Sequence, residues 1–191
     1  VSTIKVDRRV IRTKEAITHA FLDLFAKKDL ENITINEIAD RANVNRATVY
    51  LHYHDKYDLL DKLIEYHLNK LISFCDPSEN TPLSDELLMI FVYIRDHFMF
   101  FSATLSTTRS ALFRKHLMAF IASNLKEKLE SRNQNSEIND ELNSQFMASA
   151  LVGTVEWWIQ RNMPYQPEYM AEQLRKLFEK NELYPALTSS T

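Results

Sequence analysis

A chain of 191 residues with one glycine, Gly153, has almost no means of building tight hairpins or β-bulges. Those turns place backbone at positive φ, where glycine alone escapes a steric penalty. Proline, present five times, adds few other breaks. The scarcity predicts an all-α fold. It also excludes a GxGxxG dinucleotide turn and a P-loop, which both need several glycines in one segment. Hydrophobic residues at 45% and charged residues at 26% are ordinary globular usage, so a core should form. The longest unbroken apolar run, Leu87 to Ile94, is far shorter than the roughly 18 to 20 residues of a membrane span. No apolar signal-peptide core lies near Val1, so a cytoplasmic protein without membrane contact is expected. The lone Cys75 has no disulfide partner and no CxxC pattern, and reads as a small apolar side chain.

Charge is uneven behind a net value of -3: residues 1–72 hold 12 Lys and Arg against 11 Asp and Glu, and residues 73–191 hold 11 against 15. Near the start, Lys5, Arg8, Arg9, Arg12 and Lys14 face only Asp7. A basic arm of this kind suits a polyanion, or a solvated tail. From Thr13 the pairs Ala16-Ile17, Ala20-Phe21 and Leu24-Phe25 recur every four residues, the spacing of one helical face. Two short helices, Thr34–Ala42 and Asn45–Tyr53, precede a long one opened by Asp55. The turn formers from Asp76 to Ser84 read as a loop between two parts of the molecule. Long helices are then expected over Asp85–Ser102, Arg109–Arg132 and Ile138–Met163, with a closing helix from Pro167 to Lys180.

The most informative segment is Thr34 to Tyr50. Thr34 with Glu37 three residues on is a capping box, in which each side chain satisfies an orphan backbone N–H at a helix start. Asn43 can take the left-handed conformation that ends this helix, Val44 can pack into the corner, and Asn45 can cap the next helix. Two short helices joined in this way form a helix-turn-helix, whose second member can enter a DNA major groove. The residue types suit that task. Arg46 can donate to a guanine edge and Ala47 can touch a thymine methyl. Thr48, Tyr50, His52 and Lys56 can reach phosphates. Tyr53 reads equally as a DNA contact or as a core residue holding the second helix in place.

This segment resembles the TetR family of bacterial transcriptional regulators. The pattern is carried by Thr34-Ile35, Glu37-Ile38-Ala39, Ala42, Val44-Asn45, Thr48-Val49-Tyr50, His52-Tyr53, Lys56 and Leu59, within residues 10 to 62. Asn43 stands where glycine is frequent in the family, and Tyr53 where phenylalanine is frequent. The resemblance implies a sequence-specific, ligand-responsive dimer on a pseudo-palindromic double-stranded operator. It makes Arg46, Ala47 and Tyr50 base readers and Thr48, His52 and Lys56 backbone contacts, with Thr34, Asn45 and Tyr53 completing the DNA-binding set. It also implies a three-helix DNA-binding domain over 1–56 and a helical dimerisation and effector domain over 57–191. Further along, Trp157-Trp158, Met163-Pro164-Tyr165 and Pro167-Glu168 resemble a TetR subgroup that includes activators of dihydroxyacetone kinase operons.

In that second domain, Ile138–Met163 is apolar on two sides, which suggests burial against two neighbours. Phe146, Ala150 and Gly153, with Met170, Leu174, Leu177 and Phe178 on the next helix, are expected to form a homodimer interface. Aromatic density between Met89 and Phe120 suggests a small-molecule pocket or a plain core. The candidate ligand residues are Phe91, Arg95, Phe98, Phe113, His116, Phe120 and Trp157, with His97 and Glu156 as further polar groups. Two rivals follow from the same residues. His54-Asp55 with His19 or His97 could suggest a metal-dependent phosphohydrolase, but no compact ligand set such as HExxH occurs, and neither an enzyme nor a cofactor is expected. The second is a helical ligand-binding or scaffold protein without DNA binding.

Overall fold

The computed structural model describes residues 8–75, 81–105, 111–132 and 138–180. Among them it contains nine α-helices and no strand: α1 (Arg8–Phe25), α2 (Ile35–Ala42), α3 (Arg46–His52), α4 (Lys56–Ser73), α5 (Leu83–Asp96), α6 (Phe98–Leu105), α7 (Ala111–Arg132), α8 (Asp140–Gln160) and α9 (Pro167–Lys180). The chain divides into two compact units, 1–67 and 68–191. The division falls inside α4, later than position 56 and earlier than the segment from Asp76, of which 76–80 lie outside the described residues.

In the N-terminal unit Ile17, Phe21 and Phe25 of α1, Ile38 and Ala39 of α2 and Val49 of α3 are all buried, and α1 and α3 each pack on α2. The sequence places the start of α1 at Thr13, yet the helix is already formed at Arg8. Nothing in Arg8–Arg12 breaks a helix, and the Thr13 hydroxyl donates to the Arg9 carbonyl at 2.9 Å inside it. The basic residues Arg8, Arg9, Arg12 and Lys14 are therefore exposed helical side chains, while Lys5 and Asp7 lie outside the described residues. Arg41 of α2 donates through Nε to Asp23 of α1 at 2.8 Å and holds that carboxyl below the usual aspartate range.

In the C-terminal unit α7 packs on α8, α5 packs on α9, and α6 meets α8. Trp158 of α8 is fully buried at the centre, with Phe91 of α5 edge-on at 5.2 Å. Its indole Nε1 donates to the Tyr165 carbonyl at 2.9 Å, so the one polar atom of the ring is satisfied. The helix expected over Asp85–Ser102 is instead two helices, bent by 89° at His97. Both segments are strongly apolar, and the bend lets Phe91 and Ile94 on one side and Phe100 and Phe101 on the other be buried together. Tyr93 fills the inner corner, 4.3 Å from the His97 ring and 6.1 Å from Phe101. Among the described residues no single helix is long and apolar enough to cross a membrane.

Candidate nucleic-acid interface

The geometry around α3 is set by side chains acting on nearby backbone. At the start of α2 the Thr34 hydroxyl accepts from the Glu37 amide at 3.3 Å, and the Glu37 carboxylate accepts from the Thr34 amide at 2.9 Å. Lys28 also reaches Glu37, and Lys28 followed by the Thr34 amide and hydroxyl lowers the Glu37 carboxyl to about 2. Asn43 closes α2 in the left-handed conformation (φ 54°, ψ 46°), and the Val44 amide donates to the Ala39 carbonyl at 3.0 Å. Asparagine tolerates this conformation better than most non-glycine residues, so its presence in place of glycine leaves the turn intact. Asn45 then caps α3, its side-chain oxygen accepting from the Ala47 amide at 2.8 Å.

With its register set by these caps, α3 buries Val49 completely and turns Arg46, Ala47, Tyr50 and Leu51 outward. Positions 46, 47, 50 and 51 share one side of a 3.6-residue helix. Arg46 lies over the Tyr50 ring at 5.4 Å and donates to its hydroxyl at 3.2 Å, so the two form one exposed polar pair. Leu51, 80% exposed beside them, was not singled out from the sequence. The available signal was its register: it follows Tyr50 and faces away from Val49. Thr48 and His52 are half-buried at the flanks.

Tyr53 and Lys56 take different positions from the rest. Tyr53 is buried, its amide closing α3 on the Val49 carbonyl at 2.9 Å, with Lys62 5.5 Å above its ring. Of its two sequence readings, the core one describes its place. The Lys56 ammonium donates to the carbonyls of Glu31 and Ile33 at 2.7 and 2.9 Å, tying the start of α4 to the segment that leads into α2. The His54-Asp55 pair also serves backbone. Asp55 accepts from the amides of Tyr57 and Asp58 at 2.8 Å each, and the His54 amide donates to Asp58 at 2.8 Å.

In the C-terminal unit the expected ligand residues do not come together. Phe91 and Phe113 are buried in the core, while Arg95, His116 and Trp157 are exposed and Phe98 is half-buried. Arg95 pairs with its neighbour Asp96 at 2.9 Å, and Glu156, its carboxyl pushed up by burial, faces Arg114 at 3.3 Å. Phe120 does line open space: two small adjoining cavities share Cys75, Ile90, Phe120, Ile121 and Leu151. The second reaches Glu86, Asn124 and Lys128, which sequence reasoning missed. Their signal was a charge at a core-facing register, Glu86 among Leu83, Leu87 and Ile90, and Lys128 among Ile121, Leu125 and Leu129.

The expected interface residues divide as well. Met170, Leu174 and Phe178 are buried within their own unit, where α9 packs on α5. Phe146 and Leu177 are exposed, and Ala150 and Gly153 are half-buried. A Cβ built on Gly153 would meet nothing within 4 Å, so that face of α8 is open.

Helices capped in this way and joined through a left-handed asparagine, with the second presenting a polar face, define a helix-turn-helix unit. Residues 17–63 match the family described as bacterial regulatory proteins, tetR family, and residues 82–180 match that described as transcriptional regulator C-terminal region. The chain belongs to the TetR family of transcriptional regulators. The uncharacterized HTH-type transcriptional regulator YxbF of Bacillus subtilis is 45% identical over 69 residues, 36% of this chain and 18% of that protein. The HTH-type dhaKLM operon transcriptional activator DhaS of Lactococcus lactis is 27% identical over 94 residues, 49% of each. The matched stretch thus spans less than half the length of these relatives. Among solved structures, a dihydroxyacetone kinase operon activator DhaS superposes with a TM-score of 0.66 at 20% identity, covering 90% of this chain and 96% of that one. The fatty acid degradation regulator FadR from Bacillus halodurans gives 0.67 at 20% identity, covering 85% and 96%. At these identities the likeness shows a shared fold.

Proposed function

We propose that the chain is a cytoplasmic regulator that binds a pseudo-palindromic DNA operator as a homodimer and responds to a small-molecule effector, acting by binding without covalent chemistry. The exposed face of α3 carries this reading: Arg46, Ala47, Tyr50 and Leu51 stand outward on a helix whose two ends are fixed by Asn45 and Tyr53. Arg46 donates to a guanine edge on leaving the Tyr50 hydroxyl, and Ala47 and Leu51 meet thymine methyl groups. Tyr50 reads or braces the same bases. Thr34, Thr48 and His52, together with Arg8, Arg9 and Arg12 of α1, reach phosphates. Asn45, Tyr53 and Lys56 are positioning residues, because their polar or aromatic groups already hold the ends of α3 and α4.

Dimerisation is supported by an apolar stripe along α8. Leu142, Phe146, Ala150, Gly153 and Trp157 recur at helical spacing on one side, and Leu142, Phe146 and Trp157 are exposed. A two-fold pair supplies the two reading heads that a palindromic site requires. The test is binding of fluorescent duplex DNA by the full chain across salt concentrations, with sedimentation of the same sample. Affinity that falls linearly with salt on logarithmic axes, at twice the mass of the chain, is the expected result. A monomer indifferent to DNA at low salt overturns the proposal.

A further inference from the structure

Arg41, Arg95, Arg114 and Arg175 are each paired with a carboxylate, that of Asp23, Asp96, Glu156 and Glu172 respectively. Arg46 is held by a neutral ring instead. Its guanidinium carbon lies 5.4 Å from the centre of the Tyr50 ring, and its Nη2 donates to the Tyr50 hydroxyl at 3.2 Å. A carboxylate at that place would orient the guanidinium but offset its charge and repel phosphates, whereas tyrosine orients it and leaves the charge intact. The platform is itself fixed. Tyr50 follows the fully buried Val49 and lies four residues from Arg46, the spacing at which side chains of one helix meet.

The two contacts differ in what they leave free. Guanidinium N–H groups point outward in its plane, whereas attraction to a ring uses its face, so an arginine held over a ring keeps its edge for another acceptor. The hydroxyl bond occupies part of that edge and is exchanged when guanine binds. We propose that Tyr50 is a positioning residue for base reading, its ring holding the Arg46 guanidinium ready for a guanine edge, so that discrimination at that base depends on the ring and not on the hydroxyl. This rests on the reading of α3 as the DNA-reading helix and names the group that makes Arg46 selective. Without the ring, Arg46 loses its rotamer freedom only on meeting the base, and part of the gain at guanine is spent on that ordering.

The test uses the full chain and a duplex selected by it from a random library, with the guanine whose preference Arg46→Ala removes replaced by 7-deazaguanine. That analogue lacks the N7 acceptor and keeps its base pairing. The wild type should lose about tenfold in affinity on the replacement. Tyr50→Leu should reduce the penalty to about threefold and Tyr50→Phe should keep it at tenfold, whatever loss of the hydroxyl does to overall affinity. With Arg46→Ala already present, Tyr50→Leu should leave no penalty to lose. Tyr50 is 46% exposed, so both variants are expected to fold, and circular dichroism checks it. A full penalty in Tyr50→Leu, an equal loss of it in Tyr50→Phe, or no penalty in the wild type overturns the role of the ring while operator binding stands. Selection of no duplex by the wild type at low salt overturns the operator reading itself.

Discussion

The two units of this chain differ in which polar contacts set the candidate site. In the N-terminal unit the register of α3 is set by side chains acting on backbone a few residues away, Thr34 and Glu37 on each other, Asn45 on Ala47, Asp55 on Tyr57 and Asp58, with Arg41–Asp23 and Lys56 on Glu31 and Ile33 reaching farther. In the C-terminal unit the decisive polar contacts join positions distant in sequence, as Lys128 does with Glu86, inside an aromatic core around Trp158. Local signals can fix a surface helix to the register a DNA groove requires. Long-range packing can enclose a space, but its contents depend on which helices meet.

The largest expected effect tests the packing side of this contrast. Trp158→Ala removes the central ring of the C-terminal unit and should cost about 3–5 kcal/mol, read by denaturant unfolding. A cost below that range would show that α8 is held chiefly by other contacts.

On the local side, Thr34→Ala should cost about 1 kcal/mol through loss of the cap. Weaker DNA binding beyond that loss would mark Thr34 as a contact in addition to a cap. The smallest effect is a pH dependence. Glu37 is lowered from 4.5 to about 2, chiefly by Lys28, so its contribution is present above 4.5 and is lost as pH falls toward 2. Wild-type stability should decline across that window, and Glu37→Gln should flatten part of the decline. Identical slopes for the two proteins, measured by urea midpoints, would show that the Lys28–Glu37 pair adds nothing to stability in this window.

The same contrast explains how much was legible in the sequence. The caps at Thr34, Asn43 and Asn45 could be named because each acts within four residues of itself, and the geometry follows from residue type. Apolar periodicity places the start of α1 at Thr13, later than Arg8, because the true start carries no capping signal and basic residues propagate a helix as readily as they form a tail. The bend at His97 was missed for a different reason: neither glycine nor proline marks it, and it arises from the packing of Phe91, Phe100 and Phe101. For Met170, Leu174 and Phe178, apolar periodicity gave a buried face but could not say whether α5 or a second subunit covers it. Lys56 had the residue type of a phosphate contact, and its fixation on Glu31 and Ile33 depends on a turn some 25 residues earlier.

The central claim is that α3 reads DNA sequence through Arg46. Its most direct test is selection of bound duplexes from a random library by the wild-type chain and by Arg46→Ala. The account predicts an enriched pseudo-palindrome for the wild type, with discrimination at one base pair of each half-site weakened by about 1–3 kcal/mol in the variant. An identical preference in both proteins, or no enriched site for the wild type at low salt, would contradict it.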